Sequence, residues 1–254
     1  MITAGIDIGA KTVKVVVAES GKMLGKSLVP AGMDTAAATQ QALDQALASA
    51  GLSKDKVERY MATGTGRKDC PITDEQITEV GAAAKGMTHV LKSCRTVVDV
   101  GAEEGRTVRC DANGKVIDFA FNEKCAAGAG TFAEGMARAL QVPLEELGPL
   151  SLRSEQAVQM NAQCAVFAES EVVTLIHNKT PRQDIARAVL DAIASRIISM
   201  VRKVGFEKDV ALIGGVARNP GFVEAMKRGL EMDVYVPEDP EYIAAFGAAL
   251  AAAE

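Results

Sequence analysis

The sequence has little that would bind a nucleic acid. Tryptophan is absent from its 254 residues, and aromatic residues make up 4%. Bases of single strands stack on aromatic side chains, so this composition offers them no platform. The formal net charge is -5, and no stripe of basic residues is present to neutralise the phosphates of a duplex. We therefore expect no nucleic-acid partner.

Long apolar runs and a disulfide framework are also missing. No apolar run reaches the roughly 18 residues that a membrane span needs. The amino-terminal segment lacks the basic region that precedes the apolar stretch of a signal peptide. The cysteines number five, an odd count, which argues against a framework of paired cysteines. We expect a cytoplasmic protein without a membrane segment.

An internal repeat organises the chain. The run Asp7-Ile8-Gly9-Ala10 recurs as Asp99-Val100-Gly101-Ala102, an offset of 92 positions (from 7 to 99). In both copies a strand-like run precedes the motif, and a second strand and a Gly-Lys turn follow it. Such self-similarity predicts two related α/β halves that face each other. We expect a first subdomain over residues 1–94, a second over 95–239, and a carboxy-terminal helix over 240–254 that returns to close the first.

Local composition predicts several further elements. An alanine-rich helix is expected over 34–50, ending at Gly51. A helix is expected over 72–90 with Thr73 as its N-cap, because Gln76 three residues later completes a capping box. A buried strand that ends at Ile213 runs into a glycine turn, and a helix is expected to start near Pro220.

Three turns from a strand into glycine predict a nucleotide cleft. Glycine allows the backbone to approach a phosphate closely, and consecutive N–H groups can surround its oxygens. The aspartate of each Asp-x-Gly motif, Asp7 and Asp99, would lie at a strand end and could hold Mg²⁺ through water or orient an attacking water. The alternative is that these are ordinary hairpin and strand-to-helix connections. A P-loop or dinucleotide-binding fingerprint is not formed.

These motifs resemble those of the actin, sugar kinase and Hsp70-type ATPases. The run "GIDIGAKTVK" is similar to their first phosphate motif, "VVDVGAE" to the second and "ALIGGVARN" to the adenosine motif. The resemblance implies an α/β, actin-like ATPase fold (a duplicated ribonuclease H-like fold) with two subdomains around a cleft that binds ATP or ADP with Mg²⁺. It implies nucleotide contacts from the residues of the three motifs: Gly9, Ala10, Lys11, Thr12, Lys14, Gly101, Ala102, Gly214, Gly215, Val216 and Asn219.

Two cysteines stand in similar settings. Cys125 lies in "NEKCAAGAGTF", before a glycine turn and a helix-like run, and Cys164 lies in "NAQCAVFAESEVV". The amino terminus of a helix favours a thiolate or an anionic cluster. An iron–sulfur cluster usually takes four thiolates, so one chain would supply half of a site. The alternative is that both are small core residues.

Three runs resemble one family more specifically. They are "ATGTGR", "NEKCAAGAG" and "CAVFAESEV", and they are similar to signatures of the BadF/BadG/BcrA/BcrD ATPases. That family includes activators of 2-hydroxyacyl-CoA dehydratases and ATPase subunits of benzoyl-CoA reductase. The resemblance implies one 4Fe-4S cluster shared between two subunits, with Cys125 and Cys164 as each subunit's ligands. Gly128 and Gly130, in the turn after Cys125, are expected to contribute to cofactor binding.

One departure from the family pattern affects the choice between its branches. Glu103 stands where the dehydratase activators usually carry glutamine, so a carboxylate replaces an amide beside the expected water and Mg²⁺. We expect catalytic roles for Asp7, Asp99 and Glu103, and this departure, with the opening motif, favours the benzoyl-CoA reductase branch.

The reductase branch implies a longer homologous ATPase subunit as a heterodimer partner. The alternative is a homodimeric dehydratase activator, and further alternatives are a sugar or acetate-type kinase and a nucleotide-binding scaffold. Either branch implies acyl-CoA-binding reductase or dehydratase subunits with their own iron–sulfur centre. The implied electron donor is a ferredoxin or a flavodoxin.

Overall fold

Two sheets of the same topology carry the fold of the described chain. The computed structural model describes residues 1–73, 75–122, 129–160 and 165–254. The first sheet, in the order β3-β2-β1-β4, consists of β1 (Ile2–Ile8), β2 (Thr12–Glu19), β3 (Lys22–Pro30) and β4 (Arg59–Thr63). The second, in the order β7-β6-β5-β8, consists of β5 (Thr96–Val100), β6 (Gly105–Cys110), β7 (Val116–Phe121) and β8 (Val210–Ile213).

The two sheets also share their strand directions. The first strand of each sheet pairs antiparallel with the second, and the second pairs antiparallel with the third. The first strand pairs parallel with the last, which follows much later in the chain. The hairpin repeat in the sequence is therefore a repeat of whole sheets.

Helices cover both sheets. The described residues form α1 (Thr35–Ala50), α2 (Glu79–Val90), α3 (Ala129–Leu140), α4 (Leu144–Ser151), α5 (Ala165–His177), α6 (Arg182–Val204), α7 (Pro220–Leu230) and α8 (Ile243–Ala252). None of the helices in these described ranges is both long and apolar enough to cross a membrane.

The predicted first helix is confirmed together with both of its ends. The side chain of Asp34 accepts a hydrogen bond from the Ala37 N–H at 2.9 Å and caps α1, as short polar side chains do at this position. Gly51 ends the helix in the left-handed conformation, with φ 66°. Ala42, Leu43 and other small apolar side chains of α1 are buried in one cluster with the first sheet.

The predicted start of the second helix is wrong. Thr73 does not cap it; its hydroxyl accepts a hydrogen bond from the Glu75 N–H, and α2 begins six residues later, with Thr78 capping through the Gly81 N–H. The intervening chain pairs with β4 instead, because the Ala62 N–H donates to Glu75 and the Ile77 N–H donates to Ala62. A bridge to β4 thus replaces the local capping box.

The helix α2 packs against the second sheet, which follows it in the chain, and α8 packs back against the first sheet. Side chains of α2 such as Met87 belong to one buried cluster with Val97 and Val108 of the second sheet. Phe246 of α8 belongs to a cluster with Val16 of the first sheet. The boundary at residue 94 stays a prediction, and the packing attaches α2 to the half that follows it.

The two helices cross each other at glycines. A Cβ on Gly247 would lie 1.8 Å from the carbonyl oxygen of Ala82, and one on Gly86 would lie 2.2 Å from that of Ile243. Atoms cannot approach so closely, so any side chain at either position would push the helices apart. The sheets therefore sit on either side of a helix pair packed backbone to backbone.

Most of the remaining helices belong to the second half. Buried side chains of α3, α4, α6 and α7, among them Phe132, Leu147, Leu190 and Phe222, share one cluster with Val98 and Leu212 of the second sheet. Ala168 and Val172 of α5 join this cluster, and α5 packs against α3.

Two of the remaining cysteines are expected to resist alkylation. Cys94 and Cys110 are buried, and burial raises the pKa of the Cys94 thiol to about 12 and that of the Cys110 thiol to about 11. Since the thiolate is the reactive form, native protein treated with iodoacetamide at pH 8 should leave both unmodified, whereas the half-buried Cys70 is labelled. Peptide mass mapping of native and unfolded samples measures this. Native labelling of Cys94 at the unfolded rate would contradict it.

Candidate nucleotide cleft

The ends of the central strands of both sheets meet in one cleft. Its polar compartment has a volume of about 620 Å³. Most of the predicted phosphate residues line it: Asp7, Gly9, Ala10, Lys11, Thr12, Lys14, Asp99, Gly101, Ala102, Glu103, Gly214 and Gly215. The fold thus brings together three turns that are up to about 200 residues apart in the chain.

The two hairpin turns have the same backbone hydrogen bond. In the first, the Gly9 N–H donates to the carbonyl of Thr12 at 3.0 Å; in the second, the Gly101 N–H donates to that of Glu104 at 2.9 Å. The repeated sequence therefore forms a repeated structure, with both turns facing the cleft.

Two further glycines pass directly over the aspartates. Gly64 and Gly214 have φ values of +90° and +87°, a region that side-chain-bearing residues rarely adopt. A Cβ on Gly64 would lie 2.5 Å from Oδ1 of Asp7, and one on Gly214 would lie 2.6 Å from Oδ1 of Asp99. Each carboxylate thus has bare backbone above it. Gly64 was not among the predicted site residues, although it directly follows β4 as Gly214 directly follows β8.

Each aspartate pairs with a cation on the neighbouring strand. Asp7 lies opposite Lys14 and contacts its Nζ at 3.1 Å through Oδ2. Asp99 lies opposite Arg106 and contacts its Nη1 at 3.3 Å. Arg106 was not among the predicted site residues, yet the offset of 92 positions maps Lys14 onto it.

Burial has a marked effect on the second of these pairs. It raises the pKa of the Asp99 carboxyl, and the Arg106 guanidinium opposes that rise. For Arg106, burial acts to lower the pKa, but the carboxylates of Asp99, Glu104 and Glu79 outweigh it and the pKa is raised. Arg106 therefore stays charged among the acids.

The two glutamates of the second turn differ in their contacts. Glu104 contacts Nη2 of Arg106 at 2.7 Å. Glu103 is exposed and lines the cleft. Both glutamates line the polar compartment, and of the two it is Glu104 that pairs with the arginine.

A second compartment of about 1210 Å³ adjoins the first and shares Lys11, Thr12, Gly101 and Gly215 with it. Its further lining is more apolar and includes Leu28, Ala133, Leu144, Val216 and Pro220, with Gly130 and Asn219. A flat base with a sugar needs such a surface beside a phosphate site.

Two side chains of this compartment are already engaged. The oxygen of Asn219 accepts from the Phe222 N–H at 3.0 Å and caps α7. Lys11, from the first half, forms an ion pair with Glu134 of α3, in the second half. Lys11 thus joins the two walls of the cleft.

Three predicted residues lie outside the described residues. They are Cys125, Gly128 and Cys164. The described chain contains no group of three or more histidine, cysteine or acidic residues that could hold a metal ion.

Two sheets of this topology, with phosphate-type turns facing each other, define the actin-like ATPase fold, and the predicted fold class is confirmed. A glucokinase of the ROK family from Streptomyces griseus shares the fold with a TM-score of 0.62 at 14% identity, over 100% of this chain and 99% of that one.

The chain belongs to the BadF/BadG/BcrA/BcrD ATPase family, whose model matches residues 4–252. It is 38% identical to the activator of lactoyl-CoA dehydratase of Anaerotignum propionicum, over 100% of this chain and 98% of that one. It is 29% identical to a benzoyl-CoA reductase subunit of Thauera aromatica, over 98% of this chain and 92% of that one.

Solved structures agree with these relatives. Component A of the (R)-2-hydroxyglutaryl-CoA dehydratase of Acidaminococcus fermentans has a TM-score of 0.95 at 34% identity, covering 99% of this chain and 97% of that one. The activator of the 2-hydroxyisocaproyl-CoA dehydratase of Clostridium difficile, with bound ADPNP, has a TM-score of 0.94 at 34% identity, covering 99% and 94%.

Proposed function

We propose that this protein is an ATP-hydrolysing activator that passes low-potential electrons to a 2-hydroxyacyl-CoA dehydratase. The observation that carries the proposal is the cleft, in which two bare glycine turns lie over two carboxylates with cations beside them. Full-length relatives at 38% and 34% identity are dehydratase activators. The benzoyl-CoA reductase subunit is more distant, at 29%, so the preference for that branch drawn from Glu103 gives way to the activator.

The cleft suits a nucleoside triphosphate in its chemistry. The turns at Gly9 and Gly101 supply backbone around a phosphate, and Gly64 and Gly214 let their turns pack directly against the two aspartates, where a Cβ would collide. Lys11 and Lys14 supply positive charge. Mg²⁺, when bound, would neutralise phosphate charge, and Asp7 and Asp99 would hold its waters. Glu103 is a further acid of this compartment that could orient the attacking water.

The base and ribose of the nucleotide would lie in the apolar compartment. Gly130, Gly215 and Val216 line it together with apolar side chains such as Leu144 and Pro220, and charged side chains including Arg218 complete the lining. The apolar compartment adjoins the phosphate compartment at Lys11, so a nucleotide could lie with its ribose in the one and its phosphates in the other.

We infer that Cys125 and Cys164 are ligands of a 4Fe-4S cluster. They precede α3 and α5, and these helices pack against each other, so the chain segments that follow the two cysteines are neighbours. Two copies of the chain would supply the four thiolates that such a cluster takes. The cluster, when bound, would supply one-electron transfer at low potential.

The partners follow from this role. The acceptor would be a dehydratase component with its own iron–sulfur centre, and the donor a ferredoxin or a flavodoxin. ATP can drive such a transfer only if ATP and ADP bind two conformations with different affinities. We infer that the two halves, which form the two walls of the cleft, move relative to each other between these conformations.

Iron analysis after anaerobic purification tests the cluster. We expect about two irons and two acid-labile sulfides per chain in a dimer, since one cluster of four irons would serve two chains. Cys125→Ser should lose both and Cys70→Ser should retain them, with light scattering giving the mass of each. Cys70 is a matched control because it is half-buried and lies outside the proposed ligand set. Full iron content in Cys125→Ser would overturn the assignment.

The heterodimeric reductase component is the second candidate, favoured by the full-length similarity to the Thauera aromatica protein. It predicts that iron is absent from the chain purified alone and appears on co-expression with a longer homologue. Absence of iron under both conditions would remove both candidates.

A further inference from the structure

Glu79 lies between arginines from the two halves of the molecule. It is the first residue of α2. Its carboxylate contacts Nη1 of Arg67 at 2.8 Å and Nη2 of Arg106 at 3.9 Å. Its side chain is 14% exposed, so solvent screens these contacts only weakly. Arg67 in turn donates to the carbonyl of Gly64 at 2.9 Å, the glycine that passes over Asp7.

Arg106 has a donor to spare. Its two terminal nitrogens contact Asp99, Glu104 and Glu79. Its Nε, by contrast, is buried without a hydrogen-bond partner among the described residues. The residue is 9% exposed and lines the polar compartment. A buried N–H is rarely left unpaired, so Nε is a donor that a small shift of the guanidinium could turn towards an anion in the compartment.

The contacts form a chain from the cleft to the helix pair. Asp99, at the end of its strand, forms an ion pair with Arg106, and Arg106 also contacts Glu79. Glu79 is the first residue of α2, the helix that crosses α8. The helix dipole also stabilises a carboxylate in the first turn of a helix. Glu79 is therefore favourably placed to connect the Arg106 guanidinium to α2. Lys14, the equivalent cation of the first half, forms its ion pair with Asp7 on the same sheet.

The geometry points to Glu79 as a positioning residue for ATP hydrolysis, and we propose that it holds Arg106 where phosphate charge in the cleft can reach it. The inference rests on the proposed hydrolysis of ATP in this cleft. Without the Glu79 carboxylate, Arg106 would be left to Asp99 and Glu104 and would move towards them. A phosphate that attracts Arg106 would also weaken the contact between Arg106 and Glu79. The change would reach α2, which Glu79 begins, and the Gly64 turn, which Arg67 contacts.

The test compares Glu79→Gln with Glu75→Gln in steady-state ATP hydrolysis. Glu75 is exposed and lies four residues earlier in the same segment, which makes Glu75→Gln a matched control. We expect Glu79→Gln to lower kcat at least about tenfold with KM for ATP within about threefold, since misplaced groups cost rate rather than binding. Glu75→Gln should match the wild type. Should Glu79→Gln unfold, as thermal melting would reveal, Glu79→Asp keeps the charge but shortens its reach to Arg106, and it should lower kcat in the same way.

A double-variant cycle separates positioning from general structural support. If Glu79 acts through Arg106, Glu79→Gln should cost no further kcat in an Arg106→Gln background. Hydrogen exchange of residues 79–90 should slow on addition of ADP in the wild type and in Glu75→Gln, and not in Glu79→Gln. Additive losses in the cycle, or an unchanged kcat in Glu79→Gln, would overturn the inference and leave the proposed function standing. If neither the wild type nor Glu75→Gln hydrolyses ATP, the proposed function fails and the inference fails with it.

Discussion

Replacing Asp99 by asparagine is expected to lower kcat for ATP hydrolysis at least about 100-fold while the Kd for ATP changes less than about tenfold. Asp99 is a buried carboxylate of the cleft, and it meets Arg106 at 3.3 Å. A carboxylate in this position can orient water or the metal's water shell during phosphoryl transfer. An amide of the same shape keeps the packing but carries no charge, so the loss falls on the chemical step.

Single-turnover hydrolysis and equilibrium binding of ATP separate the two quantities. Asp118→Asn is the matched control, since Asp118 lies exposed on β7 of the same sheet and accepts a hydrogen bond from the Phe119 N–H. A variant that binds ATP poorly but hydrolyses it at the normal saturated rate would assign Asp99 to binding alone.

The pH dependence of this rate has a defined sign. Burial raises the pKa of Asp99 above the ordinary aspartate value of 3.8. As the pH falls through that raised pKa, the carboxylate takes up a proton and the rate should fall. The acid limb of kcat should therefore lie above the ordinary aspartate range in the wild type.

Replacing Gly247 by alanine is expected to destabilise the protein by about 2–4 kcal/mol, one of the larger effects open to a single methyl group. The new Cβ would lie 1.8 Å from the Ala82 carbonyl oxygen, so α2 and α8 must separate. Alanine within a helix otherwise stabilises by about 1 kcal/mol relative to glycine, and the collision outweighs that gain.

Gly135→Ala provides the matched control. It also lies inside a helix, α3, but its Cβ would meet nothing nearer than the Arg138 Nη2 at 3.8 Å. Its stability should be equal to or slightly above that of the wild type. For a chain of this size about 2–4 kcal/mol corresponds to a fall in Tm of roughly 5–15 °C. Equal Tm values for the two variants would contradict the packing described at the helix crossing.

The repeat in the sequence predicted more of the fold than any single motif. Because strands and turns recur at an offset of 92 positions, both hairpins and the positions of Asp7 and Asp99 followed from it. The same offset contained Arg106, which could have been named from Lys14. Alanine-rich composition and the glycine that follows also sufficed for the extent of α1, which Asp34 and Gly51 cap in the structure.

What could not be predicted depends on contacts between distant segments. The start of α2 was misplaced because residues 75–77 pair with β4, a partner that no local pattern reveals. As Glu79 owes its position to that start, its contact with Arg106 was equally hidden. The ion pair between Lys11 and Glu134 joins residues 123 positions apart and depends on how the two halves face each other.

The exchange of α2 and α8 has a consequence for how such a chain can be divided. One face of the first sheet packs against α1 and the other against α8. One face of the second sheet packs against α6 and the other against α2, which precedes it in the chain. Cut at residue 94, the amino-terminal fragment would keep α2 without its sheet and would expose the side of β1 that α8 covers. Neither repeated half is thus complete alone, because each takes a covering helix from the other, as the subunits of a domain-swapped dimer do. The single chain joins the two halves of such a pair covalently.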